Sequence, residues 1–99
     1  MTGKLTIAID YDDTFSADMP MWAEVISTMQ SRGHHVIMVT ARRGTDENYE
    51  EIRTWLTHFG VSIALYFTNL GSKLHWAESR GLKVDIWIDD DPRSLVHGR

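Results

Sequence analysis

The sequence contains no cysteine. Disulfides, thiolate nucleophiles and cysteine-based metal sites are therefore excluded. Proline is scarce, at two residues, so there is no proline-rich linker. No apolar run approaches the roughly 20 residues that a transmembrane helix needs. Met1-Thr2-Gly3-Lys4 leads through a short apolar run straight into acids, which is not a signal-peptide pattern. The expected compartment is the cytoplasm, with no membrane partner. An excess of positive charge is also missing: the net charge is -4. A general electrostatic surface for nucleic acid is not expected, although a local basic patch stays open. Internal repeats and low-complexity stretches are absent from the sequence as well.

What remains is an ordinary globular composition, 42% hydrophobic and 24% charged over 99 residues. That length fits one domain, 1–99. A domain of this size buries only roughly 60–65% of the surface its unfolded chain exposes.

Short apolar runs alternate with helical patterns. Leu5 to Ile9, Val36 to Val39, Val61 to Phe67 and Val84 to Ile88 read as strands. Between the first two, Trp22, Val25, Ile26 and Met29 recur at helical spacing, with Asp18 as a cap, Pro20 in the first turn and Gly33 as a stop. The next helix is capped by Thr45 or Asp46, ends before Gly60 and has Tyr49, Ile52, Trp55, Leu56 and Phe59 as its inward stripe. Lys73 to Arg80 is a third helix, and Pro92 to His97 adds a terminal turn. Continuous apolar strands separated by amphipathic helices predict a parallel sheet covered on both faces, a three-layer α/β/α sandwich. Ligands of such sheets sit beyond the carboxyl ends of the strands. Asp10, Asp12, Thr40 and Asp89 all follow a strand.

Two acidic clusters stand out. In Ile9-Asp10-Tyr11-Asp12-Asp13-Thr14, alternation along an extended segment turns Asp10 and Asp12 to one side and Tyr11 to the other. Such a pair suits a nucleophile with an acid/base partner, or two oxygen ligands of a hard cation. A solvated acidic turn has the same composition. The second cluster, Asp89-Asp90-Asp91, ends the fourth strand and reads equally as a charged loop with Asp91 capping the turn at Pro92. In a parallel sheet the two clusters share one rim. Like charges 4 Å apart repel by about 4 kcal/mol at an effective dielectric near 20, so convergence calls for a cation. Oxygen-only ligands favour Mg²⁺ over zinc.

From the first strand to Asp91, the chain resembles the haloacid dehalogenase-like superfamily of phosphohydrolases. Asp10, Asp12 and Thr14 match the first motif of that family, in which the first Asp is the nucleophile and the second the general acid/base. Thr40 matches the second motif, whose hydroxyl binds the phosphoryl group. Asp89 and Asp90 match the fourth, which helps to hold Mg²⁺. The third motif is a lysine: Lys73 begins a helix on the correct rim, whereas Lys83 begins a strand on the wrong one. Asp13 stands where many relatives have glycine.

The resemblance implies a fold with strand order 3-2-1-4 and a phosphomonoester hydrolase working through an aspartyl-phosphate. Asp10, Asp12, Thr40 and Lys73 would be catalytic. Asp10, Asp12, Asp89 and Asp90 would hold Mg²⁺. Thr14 falls on the substrate side, as do Arg42 and Arg43, which are either solvated charges or contacts to an anionic part of the substrate. His34 and His35 precede a strand on the far rim. Trp22 and Trp55 lie on core stripes. Trp76, beside an inward Ala77, is either packed or exposed.

Two other readings fit parts of the pattern. A receiver domain also sets acids, a Thr and a Lys around a parallel sheet, but its acceptor Asp follows the third strand, where this chain has Thr68-Asn69. A catalytically idle relative that binds phosphate groups or a protein is the other. Many relatives carry a cap after the first motif or the third strand. Here Asp13 to Asp18 and Asn69 to Ser72 are all that fill those gaps. An open rim implies a macromolecular phosphate, such as a nucleic-acid end or a phosphoprotein, or a small one covered by a neighbouring copy in a homo-oligomer.

Overall fold

The computed structural model describes residues 3–98; Met1, Thr2 and Arg99, counted above as part of the domain, lie outside the described residues. The strands are β1 (Thr6–Ile9), β2 (His35–Thr40), β3 (Ala64–Phe67) and β4 (Ile86–Ile88). The helices are α1 (Met19–Ser31), α2 (Asp46–His58), α3 (Lys73–Ser79) and the single turn α4 (Arg93–Val96). A 3₁₀ turn, Phe15–Ala17, precedes α1. All pairings are parallel and the order is β3-β2-β1-β4, as expected.

Each of α1, α2 and α3 starts where a side chain satisfies a backbone N–H that has no partner within the helix. Asp18 accepts from Met21 N at 3.2 Å, Thr45 from Asn48 N at 3.2 Å and Ser72 from His75 N at 3.2 Å. Thr45, rather than Asp46, is thus the cap of α2. Gly33 and Gly60 follow α1 and α2 with positive φ, 89° and 70°, a conformation that costs glycine nothing.

The core has two parts, because alternate strand residues face opposite sides of the sheet. On one side Ile9, Val36 and Met38 meet Ile26 of α1 and Ile52 and Leu56 of α2. On the other, Ala8, Ile37 and Val39 meet Trp76 and Ala77 of α3. Burial of each large aliphatic chain contributes about 1.5–3 kcal/mol.

Three expectations need correction. The third strand begins at Ala64, not Val61, because Val61 N still donates to Leu56 O of α2 at 2.8 Å, in the turn that closes the end of that helix. The fourth begins at Ile86, not Val84; before it, Leu82 N donates to Ala77 O of α3. Tyr49 and Trp55 do not belong to the inward stripe of α2, being 46% and 42% exposed. Ile52 and Leu56, one turn apart, fill the contact with the sheet. Tyr49 is left against the Arg53 guanidinium, and Trp55 stacks on Phe59. Trp76 is packed, with its ring centroid 5.1 Å from that of Tyr66. Among the described residues, no helix is long and apolar enough to cross a membrane.

Candidate active site

With every strand parallel, Asp10 after β1, Thr40 closing β2 and Asp89 after β4 arrive on one rim. β1 lies between β2 and β4, and Ile9 pairs with Ile88, so Asp10 and Asp89 emerge side by side. Asp10 N donates to Ile88 O at 2.9 Å, which fixes this juxtaposition through the backbone. One oxygen from each of Asp10, Asp89 and Asp90 lies within 4.8 Å of the others.

Lys73, the first residue of α3, is fully buried and reaches into this cluster. Its Nζ donates to Asp10 Oδ1 at 2.9 Å and also to Asp89 Oδ2. The Lys83 side chain is 90% exposed, with its Nζ 3.8 Å from Asp85 Oδ1. Of the two lysines weighed, Lys73 is the one that the structure brings to Asp10 and Asp89. Burial pushes the Asp10 carboxyl up to about 7; the hydrogen bond and charge of Lys73 pull it back, while the Asp89 charge adds to the rise. Three carboxylates face a single ammonium group, which leaves two negative charges unbalanced when all are ionised. A divalent cation with oxygen preference fits that donor set.

Asp12 is not in this group, although it was expected among the metal ligands. Its carboxylate is held by Arg42, whose Nη2 lies 2.8 Å from Oδ1 and whose Nε lies 3.0 Å from Oδ2. This two-pronged pairing is the geometry at which arginine excels. Arg42 is itself anchored by Asn48 Oδ1 at 3.1 Å and Glu51 Oε2 at 3.1 Å, and it lies over the Tyr11 ring at 5.3 Å. Its bonds to Asp12 and then Glu51 hold it more firmly protonated than a free arginine. Arg42 is thus not a free solvated charge: its guanidinium is bonded to Asp12, Asn48 and Glu51. Arg43 is exposed, and its carbonyl accepts from Asn48 Nδ2.

Thr14, expected on the substrate side, is engaged with Asp90. Its hydroxyl donates to Asp90 Oδ1 at 3.0 Å and accepts from Asp90 N at 3.1 Å. The first motif therefore orients the second acidic cluster. Asp13, between Asp12 and Thr14, has φ 59°, in the left-handed region that glycine adopts at least cost. Thr40 is buried, and its Oγ1 accepts from Arg42 N at 3.3 Å. Tyr11 is buried and stacks on Phe15. Because β1 ends at Ile9 and residues 11–14 form a turn, the expected extended alternation from Asp10 to Asp12 does not hold there.

No family model, curated protein or solved structure matches this chain. The site must be read from its own geometry.

Three participants escaped the sequence reading. Ser94 is buried in α4, with its Oγ 3.0 Å from Asp89 Oδ2 and 2.9 Å from Asp91 O. Its position after Asp91-Pro92 gave no chemical signal. Asn48 and Glu51 lie on the first turns of α2, one helical turn apart, and a polar pair beside the Thr40–Arg42 segment was the available hint.

Proposed function

We propose that this chain is a Mg²⁺-dependent phosphomonoester hydrolase of the haloacid dehalogenase-like type, with a three-layer α/β/α arrangement and no cap. The observation that carries the reading is Lys73 Nζ bonded to both Asp10 and Asp89, with Asp90 alongside. A buried lysine linking the ends of two adjacent parallel strands balances a nucleophile and leaves charge for a cation.

Asp10 attacks phosphorus: an Oδ–P bond forms and the ester P–O bond breaks in line. Asp12 gives a proton to the departing alkoxide, then takes one from the water that cleaves the aspartyl-phosphate and regenerates Asp10. Lys73 and the Thr40 hydroxyl offset charge on the phosphoryl oxygens. Asp10, Asp89 and Asp90 would hold Mg²⁺, whose role is to neutralise phosphoryl charge. Release of phosphate from a generic phosphomonoester in Mg²⁺, abolished by chelator, is the direct test. Asp90→Asn is expected to raise the Mg²⁺ concentration for half-maximal rate by roughly tenfold. Full activity in chelator, with no metal found by elemental analysis, refutes the metal assignment.

Arg42 acts as a positioning residue for Asp12. Arg42→Ala should lower kcat by about 10²-fold on alkyl phosphates, whose leaving groups need a proton. On aryl phosphates with acidic leaving groups the loss should be much smaller. Equal losses on both would assign Arg42 to structure alone.

The gaps where caps are inserted hold only the 3₁₀ turn and a short loop tied to α4 by Ser72 Oγ donating to Leu95 O at 2.6 Å. The open rim favours a macromolecular phosphate, or a small one covered by a second copy. Comparison of kcat/KM for matched small and large phosphates, together with solution mass, tests this. A strict monomer that prefers a small metabolite overturns it.

A further inference from the structure

A groove of about 390 Å³ opens beside the acidic cluster, between the 3₁₀ turn, the first turn of α1 and the end of β4. That volume lies within the range of small-molecule sites, about 300–1,000 Å³. Thr14, Asp89 and Asp90 belong both to the groove and to the cluster. Much of the remaining wall is apolar, formed by Met21, Trp22 and Ile88. Met21 is 42% exposed, while Trp22 is half-buried and braced against the core. Exposed Asp13, Ala17 and Asp18 complete the lining, and none of the lining residues is basic.

The other ways out of the cluster differ in character. Toward α2 stands the charged network of Arg42, Asp12 and Glu51. Toward α3 the fully buried Lys73 closes the site. The groove offers an apolar surface next to the carboxylates at which the phosphoryl group would react.

We infer that this groove seats the organic part of the substrate, and that this part is an aromatic ring without negative charge. The inference rests on the phosphohydrolase reading and adds the class of ester. A ring lying against Trp22 gains offset stacking, and the Met21 sulfur makes a further favourable aromatic contact. Asp13 and Asp18 repel an anionic substituent and accept a cationic or neutral one. A second phosphate or a carboxylate close to the scissile ester meets only like charge there.

Naphthylmethyl phosphate and ethyl phosphate both leave as primary alkoxides, so their comparison isolates the ring. We expect kcat/KM at least roughly tenfold higher for the naphthylmethyl ester, because burial of a ring removes a large apolar area from water. Benzyl phosphates bearing a 4-carboxylate or a 4-aminomethyl group should differ by roughly tenfold in favour of the cation. Met21→Glu, a change at an exposed helical position, should shrink the naphthylmethyl-to-ethyl ratio. Ratios near one, or a preference for the carboxylate, overturn the inference. Binding gives a readout independent of turnover. In an NMR titration with naphthylmethylphosphonate, the Trp22 indole N–H and the Met21 methyl should shift first. If no ester is hydrolysed, the hydrolase reading falls while this titration still decides the groove. Shifts confined to other residues, or none at all, refute it.

Discussion

Asp10→Asn is expected to reduce turnover by at least about 10³-fold while making the metal-free protein more stable above neutral pH. The amide keeps the shape of the carboxylate and still accepts from Lys73, but it does not attack phosphorus. The stability effect has its own origin. Burial raises Asp10 from 3.8 to about 7 in the folded state, so folding favours its protonated form. The stability that this contributes is complete below about pH 4 and is lost as pH rises through 7. About 4 kcal/mol separates the two limits, at 1.36 kcal/mol for each tenfold change in proton affinity. A neutral amide has no such loss. Thermal unfolding of both proteins in chelator should therefore show the gap in Tm move in favour of Asp10→Asn between pH 5 and pH 8. A constant gap would mean that Asp10 carries no raised proton affinity. Near-wild-type turnover would remove the covalent route, whatever the stability result.

The rim was legible in the sequence because parallel pairing leaves little freedom. Once four apolar runs end in Asp10, Thr40, Phe67 and Asp89 and share a direction, their last residues must lie along one edge. Lys73 was legible for the same reason, since a helix that follows β3 begins on that edge. Strand starts were not. Where β3 and β4 begin depends on how the chain leaves the preceding helix, and the bonds Val61 N to Leu56 O and Leu82 N to Ala77 O postpone pairing. The α2 stripe was overread because apolar spacing alone does not tell an aromatic ring at the flank from one beneath the helix. Side-chain allegiance was hidden as well. Arg42 and Asp12 stand 30 positions apart, and the choice of Arg42 between an exogenous anion and Asp12 depends on angles that composition does not encode. Thr14 illustrates the same point: its motif position was evident, but its tie to Asp90, 76 positions away, arises only when β4 pairs beside β1.

Lys73→Met should cost about 3–5 kcal/mol, because it leaves Asp10 and Asp89 buried without their shared cation. In a domain of this length that is a fall in Tm of more than about 12 °C, a large part of total stability. Lys83→Ala should change stability by no more than about 0.5 kcal/mol, since an exposed side chain 3.8 Å from its partner loses little. The two variants differ in burial and not in formal charge, so the contrast isolates the environment. Mg²⁺ supplies a test beyond simple loss of packing. If the cluster is a cation site, millimolar Mg²⁺ should stabilise Lys73→Met more than wild type, because the variant presents the same carboxylates without a competing ammonium group. Adding Asp89→Asn to Lys73→Met should recover part of the lost stability, since it removes the charge left unpaired. Where Lys73→Met alone fails to fold, the double variant gives the readout. Equal effects of Mg²⁺ on both proteins, with no recovery in the double variant, would reduce Lys73 to a packing residue. The charge argument for the metal would then fall with it.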